Sequence, residues 1–288
     1  MLALARSGIP EGIWLRAERQ TGGRGRQGRL WVSPVGNFYG SSVVRVRGGD
    51  PAPATLALVA AVALEEVVRA YLPPYSPPVS PFPLPSHFPL SSRFPGEGRG
   101  PVAQAEVTDR SDRSSNVPLL GPGLRRGSGS KRGNQTGGAS AGGEGLVLKW
   151  PNDLLIDGAK ISGILLERTG DAIVVGIGVN LAHHPTDTDR IATSLAIHGA
   201  TPDPADFAET LADTFARWLS IWRGQGLAPV RTRWLERAHP IGTALTARLP
   251  DGSATDGLFN GLDSDGALIL RLADGTARVI HAGDVFLL

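Results

Sequence analysis

Thr21-Gly22-Gly23-Arg24-Gly25-Arg26-Gln27-Gly28-Arg29-Leu30-Trp31 strings three arginines along a glycine-rich loop. Glycines let backbone N–H groups approach a ligand closely, and guanidinium forks grip carboxylate or phosphate, so the loop suits an anion. A second string, Lys149-Trp150-Pro151-Asn152-Asp153-Leu154, gathers a lysine, an amide and a carboxylate within five residues. That set suits a charged ligand and its metal ion, and the two strings together point to ATP-dependent activation of a carboxylic acid. Either string alone also reads as a solvated turn. Their joint presence argues against two accidents.

Other patterns are weaker. Gly23, Gly25 and Gly28 have the spacing of a dinucleotide-binding fingerprint, and Asp50 lies downstream. That fingerprint must open a helix, whereas Leu30-Trp31-Val32-Ser33-Pro34 continues as turn and strand. Lys160, ahead of Ser162-Gly163-Ile164-Leu165, reads as an ordinary hairpin lysine, and Asn180, after Gly176-Ile177-Gly178-Val179, as the cap of a strand end. His183 and His184 read as exposed loop residues, since no third ligand stands at metal-binding spacing. There is no G-x-S-x-G hydrolase elbow. With no cysteine, disulfides, thiolate metal sites and enzyme-bound thioesters are excluded.

The chain has 288 residues, 41% of them hydrophobic, enough for one large domain or two smaller ones. Eight of its 29 basic and five of its 27 acidic residues lie within 73–144, which leaves 21 against 22 elsewhere. Basicity therefore belongs to one segment and not to a folded basic face, which disfavours nucleic-acid binding. No stretch approaches the roughly 18 apolar residues of a membrane span. A cytoplasmic protein fits this composition.

The elements that must hold the two strings follow from periodicity. Residues 13–19 alternate as a strand that ends at the glycine loop, and 38–46 read as another. Asp50-Pro51 opens a helix whose Leu56, Val59, Ala60, Ala63, Val67 and Tyr71 form an apolar stripe until Pro73-Pro74. Residues 74–144, rich in Pro, Gly, Ser and Arg without sustained periodicity, read as a disordered insertion, or alternatively as a linker or partner-binding tail. Leu146-Val147-Leu148 is a strand that delivers Lys149, and strands follow at 161–166 and 172–177. Asp203-Pro204 opens a helix with Phe207, Leu211, Phe215, Trp218 and Trp222 on one face, and a shorter helix covers 229–238. From His239 onward, Asp-Gly turns at 251–252, 265–266 and 274–275 separate short strands that read as a small β-barrel.

With those residues in view, the chain resembles the biotin protein ligases, also called biotin–[acetyl-CoA-carboxylase] ligases. The resemblance rests on the GRGRxGRxW loop, the KWPNDL string, Lys160-x-x-Gly163-Ile164-Leu165 and Gly176-Ile177-Gly178-Val179-Asn180-Leu181, in that order. It implies an α/β (α+β) catalytic domain with a mixed sheet over 1–238 and a C-terminal SH3-like barrel over 239–288. It also implies ATP and Mg2+, biotin as substrate, and transfer by way of biotinyl-5′-AMP to a lysine of the biotin carboxyl carrier protein of acetyl-CoA carboxylase. Neither DNA nor a membrane is an implied partner, and a homodimer is allowed.

Carried over residue by residue, Gln20 would bond the biotin ureido group, and Gly23, Arg24, Gly25 and Arg26 would close over the ligand. Lys149 would touch both biotin carboxylate and adenylate phosphate, as a catalytic group with Arg26. Arg24, Arg29, Trp31, Asn152 and Asn180 would hold ATP or the adenylate, and Asp153 would bind magnesium. The physical logic agrees: carboxylate attack on the α-phosphate brings two anions together, so fixed positive charge must offset the repulsion.

One departure stands out. The family's upstream Ser-Thr-Asn segment has no counterpart among the twenty residues before Thr21, which include Ser7 and no threonine. The expectation is that the chain begins inside the domain. Two rival readings are a degenerate, non-catalytic biotin-binding homologue and a lipoate-ligase-like acyl-protein ligase.

Overall fold

The computed structural model describes residues 1–73, 145–186 and 190–288; the insertion expected over 74–144 lies outside them. Six strands build the first sheet: β1 (Trp14–Ala17), β2 (Phe38–Arg45), β3 (Leu146–Lys149), β4 (Asp153–Ile156), β5 (Ala159–Thr169) and β6 (Ala172–Val179), in the order β1-β2-β6-β5-β4-β3. Every ladder in it is antiparallel. The expected mixed sheet is therefore corrected. The reason lies in the connections: β3 to β6 follow one another through tight turns, which permit only antiparallel neighbours. The parallel pairings among the described residues are isolated bridges, Leu148 to Ala238 and Lys160 to Ala192.

Asp157 and Gly158, with φ of 50° and 79°, make the two-residue turn between β4 and β5. This is the geometry for which Asp-Gly is favoured in hairpins. β4 was not expected: its four residues are all buried, so they show no alternation to mark them as a strand. It pairs Lys149 directly opposite Asp153 across the Trp150–Pro151 turn.

The strand period of two divides the residues of β6 between two faces. Ile173, Val175, Ile177 and Val179 join the core with the helices α2 (Leu56–Tyr71) and α3 (Pro204–Gln225). On the opposite face, Val174 packs with Ala5 of a short helix α1 (Leu2–Arg6), and Gly176 and Gly178 line an open cleft. Helix α1 has five residues, too few for periodicity to announce it.

Helix α2 is buried nearly all round, not along one stripe, because the sheet lies on one side and α3 and α4 (Ala228–Glu236) on the other. Its α-helical turns begin at Leu56 and not at Asp50-Pro51, since a 3-10 turn at Pro53–Thr55 comes first. Even Glu65 of α2 is fully buried, paired with Arg69, Arg233 and Arg237. Helix α3 starts where Asp203 accepts a hydrogen bond from the Ala205 N–H at 2.6 Å. Its Trp222 indole donates to Thr55 Oγ1 at 2.9 Å, which ties α3 to the start of α2.

Residues from Ala244 form a second antiparallel sheet: β7 (Ala244–Arg248), β8 (Ala254–Leu262), β9 (Leu268–Arg271), β10 (Ala277–Ile280) and β11 (Asp284–Leu287), ordered β10-β9-β8-β7-β11. One continuous apolar core includes Leu148 and Trp150 of the first sheet region and Leu245, Phe259 and Val285 of the second. The two sheets are thereby packed against each other, and the start of β11 reaches the cleft.

Candidate active site

The arginine loop is a closed hairpin. Trp31 N–H donates to Gly23 O at 3.0 Å, Gly25 N–H to Arg29 O at 2.7 Å, and Arg24 bridges to Leu30. At its tip a 3-10 turn, Arg26–Gly28, ends with Gly28 at φ 71°. Gly23 sits where any Cβ would lie 2.4 Å from Trp31 O and 2.8 Å from Gln20 Oε1, so a side chain there would force the loop's base apart. Ser33 Oγ donates to Gln20 Oε1 at 3.0 Å and fixes that amide at the edge of the cleft.

The cleft has a volume of about 850 Å³. Its floor is the glycine-bearing face of β5 and β6, where Gly163 pairs with Gly178 and Leu165 with Gly176. The Trp31 ring lies on Gly178: a Cβ there would stand 2.8 to 2.9 Å from the indole. Lys160 Nζ is 5.6 Å from the same ring's centroid, and the indole Nε1 is buried without a hydrogen-bond partner.

At the polar end, Asp153 is 4% exposed and sits between cations. Lys160 Nζ donates to its Oδ1 at 2.5 Å, Lys149 Nζ stands 3.0 Å from Oδ2, and Arg190 3.6 Å from Oδ2. Burial pushes the Asp153 carboxyl up, but Lys160 and Lys149 outweigh that and hold it below the ordinary range. Burial pulls Lys149 down, with Asp153 opposing. Asn152 donates to Ile164 O at 2.5 Å and accepts from Arg26 at 3.4 Å. Asn180 Nδ2 donates to Thr193 O at 3.0 Å, deep in the loop that follows β6.

Of the residues singled out by sequence, Gln20, Arg24, Gly25, Arg26, Arg29, Trp31, Asn152, Asp153 and Asn180 line this one cleft, and Gly23 supports the loop behind it. Lys149 does not line it. Its ammonium lies on the far side of Asp153 and donates to Val285 O at 3.0 Å, in a small apolar niche with Trp150, Trp234 and His239. Among the described residues, the lysine that lines the cleft is Lys160. The sequence reading makes it an ordinary hairpin lysine, but once Asp157-Gly158 is read as the turn between β4 and β5, Lys160 falls beside Asp153. Arg190, Asp284, Phe286 and Arg248 also line the cleft, with nothing in the local sequence to announce them.

Metal binding by Asp153 fits poorly. Both its oxygens already face lysine ammonium groups, and among the described residues no cluster of three or more His, Cys, Asp or Glu could hold an ion. What the site does offer is fixed positive charge over a smooth floor, the arrangement needed to bring a carboxylate against a phosphate.

The sequence model of the Biotin/lipoate A/B protein ligase family matches residues 7–97 and 134–181, and that of the Biotin protein ligase C terminal domain matches 241–288. A biotin–[acetyl-CoA-carboxylase] ligase from Paracoccus denitrificans is 34% identical over 97% of this chain and 92% of its own length. Two solved structures share the fold. A biotin protein ligase from Aquifex aeolicus, in complex with biotin and ATP, has a TM-score of 0.67 at 19% identity, covering 99% of this chain and 94% of that one. One from Leishmania major, in complex with biotinyl-5-AMP, has a TM-score of 0.51 at 23% identity, covering 98% and 94%. On the strength of the near-full-length identity to the Paracoccus enzyme and the two matching sequence models, the chain belongs to the biotin protein ligase family.

Proposed function

We propose that this protein activates biotin with ATP and transfers the biotinyl group to a lysine of the biotin carboxyl carrier protein of acetyl-CoA carboxylase. In the first step a biotin carboxylate oxygen attacks the α-phosphorus, the bond to the β-phosphate oxygen breaks, and pyrophosphate leaves. In the second the acceptor amine attacks the acyl carbon of the biotinyl-5′-AMP, and AMP leaves with the bonding pair.

The observation that carries this reading is the pairing of a glycine floor capped by Trp31 with a cluster of cations at one end. A flat bicyclic ligand would lie on the floor, its ureido end at Gln20. Lys160 would meet the carboxylate and the α-phosphate, in the role that the sequence reading gave to Lys149. Arg26 and Arg29 would hold phosphate oxygens, with Arg24 at the outer rim, and Asn180 and Asn152 would border the adenine and ribose. Lys149 would act through Asp153, keeping that carboxylate ionised beneath Lys160. Magnesium would arrive on the triphosphate as part of the nucleotide and not as an ion held by Asp153. The reading takes the five-stranded C-terminal sheet as an SH3-like barrel over 239–288 beside a catalytic part over 1–238. The meander order of β7 to β10, with β11 returning to β7, supports it. It also assigns the protein to the cytoplasm.

Biotin-dependent exchange of labelled pyrophosphate into ATP tests the chemistry. Lys160→Met should slow exchange by about 30- to 1000-fold, the loss of roughly 2–4 kcal/mol of charge stabilisation in a dry site. Lys149→Met should stay within about tenfold of the parent, because Lys160 still neutralises Asp153. The reverse ranking would return the role to Lys149. Exchange supported by lipoate and not by biotin would favour the lipoate-type reading, and no exchange with either the non-catalytic one.

A further inference from the structure

The second sheet contributes one carboxylate to the cleft, and three guanidinium groups from two segments converge on it. Asp284 opens β11 with its side chain 8% exposed. Arg29 is ion-paired to its Oδ2, Arg190 stands 3.4 Å from the same oxygen, and Arg26 stands 3.5 Å from Oδ1 while donating to Gly283 O at 3.1 Å. Two residues along the strand, and so on the same face, Phe286 lies 4.9 Å from the guanidinium carbons of both Arg190 and Arg248. Burial raises the Asp284 carboxyl, but Arg29, Arg190 and Arg26 outweigh it, so the group is ionised at neutral pH.

Arg190 also stands 3.6 Å from Asp153 Oδ2, so it bridges the two carboxylates of the cleft. Asp153, by contrast, has two close lysines and lies deeper. The three guanidinium groups are thus assembled around a single carboxylate, whose place a polyphosphate can take. A carboxylate and a phosphate present similar oxygen pairs to a guanidinium fork.

We infer that Asp284 is an internal counter-anion that holds Arg26, Arg29 and Arg190 together in the absence of nucleotide and gives way to its polyphosphate. Asp284 is a positioning residue, acting through the arginines. The exchange runs both ways: when pyrophosphate has formed, the returning carboxylate competes for the same guanidinium groups and helps expel it. Arg190 becomes a third polyphosphate ligand beside the two arginines of the loop. The inference rests on the nucleotide-dependent reading above.

Titration of the whole chain with inorganic tripolyphosphate, followed by calorimetry, tests it without requiring catalysis. Asp284→Asn should bind tripolyphosphate roughly 5- to 30-fold more tightly, since three partly exposed ion pairs no longer compete. Its affinity should also fall more steeply with salt. In steady state the same change should lower KM for ATP and kcat together, because nothing returns to displace pyrophosphate. Equal or weaker tripolyphosphate binding by folded Asp284→Asn overturns the inference. Arg190→Gln supplies a second arm should Asp284→Asn not fold: it should weaken tripolyphosphate binding several-fold and leave biotin binding unchanged, and unaltered tripolyphosphate binding overturns the inference as well. Tighter tripolyphosphate binding with no biotin-dependent exchange in the parent would sink the ligase reading and leave the counter-anion standing.

Discussion

Replacing Asp153 by asparagine keeps the shape of the side chain and removes the charge on which two lysines converge. Asp153 is 4% exposed, with Lys160 at 2.5 Å and Lys149 at 3.0 Å, and Lys149 is itself 9% exposed. The variant would leave Lys149 buried without its counter-charge, and breaking a buried pair from one side costs about 3–5 kcal/mol. For a folded unit of this size each kcal/mol moves Tm by roughly 2–4 °C, so Tm should fall by about 6–20 °C. Urea unfolding should show a lower midpoint at unchanged slope. Adding Lys149→Met should recover most of the loss, because it removes the stranded ammonium. As a reference, Asp171→Asn breaks the Arg45 pair, whose carboxylate is 67% exposed, and should cost no more than about 1 kcal/mol. The sign with pH also follows. Asp153 has a lowered folded pKa, so its contribution is complete above the ordinary carboxylate range and is lost as pH falls through the folded value. Stability of Asp153→Asn within about 1 kcal/mol of the parent would refute the argument that this carboxylate neutralises the lysines.

His239 makes a second pH test, since burial and then the nearby Lys149 lower it from 6.5 to about 4. Between those values the unfolded chain binds a proton that the folded chain does not, so stability should decline as pH falls, by up to about 3 kcal/mol from this group. His239→Leu should flatten that decline in urea midpoints taken at pH 4.5 and pH 7, and an identical decline would show that His239 is not the group responsible. Gly178→Ala should weaken biotin binding by about tenfold or more in calorimetric titration, because its Cβ would press the Trp31 ring from 2.8 Å and move it off the floor. Gly176→Ala meets its nearest protein neighbour at 3.6 Å and leaves the Trp31 ring in place, so a change in Trp31 fluorescence should accompany Gly178→Ala alone, and the same change in both variants would remove Trp31 from the explanation.

What could be read from sequence was what local pattern encodes. Helix α3 had a capping Asp203, Pro204 at its first position and a five-residue aromatic and aliphatic face, and it forms where those signals place it. The apolar run of β6 and the three Asp-Gly turns of the second sheet were equally legible. The arginine loop announced an anion because its chemistry is contiguous. The misses arise where pairing at a distance decides. Strand β4 is buried on every residue and so has no alternation, and without it Lys160 had no visible partner while Lys149 looked free. Strand direction in the first sheet likewise depends on which neighbours meet. Asp284 is an unremarkable acid in a short C-terminal strand until the fold carries it to Arg29, 255 residues away.

That separation has a consequence for the order of assembly. Contacts between Asp284 of β11 and the arginine loop span 255 to 258 residues, among the most distant pairings of the described residues. Closing so large a loop is entropically costly and rewarded only after both sheets exist, so such contacts belong to the late side of the folding barrier. The hairpins of β3 to β6 are local enough to precede them. Weakening the β11 contacts should then speed unfolding far more than it slows folding, as for positions that are unstructured in the transition state. By this reasoning the arginine-lined end of the cleft should be the last part of the molecule to come together and the first to come apart.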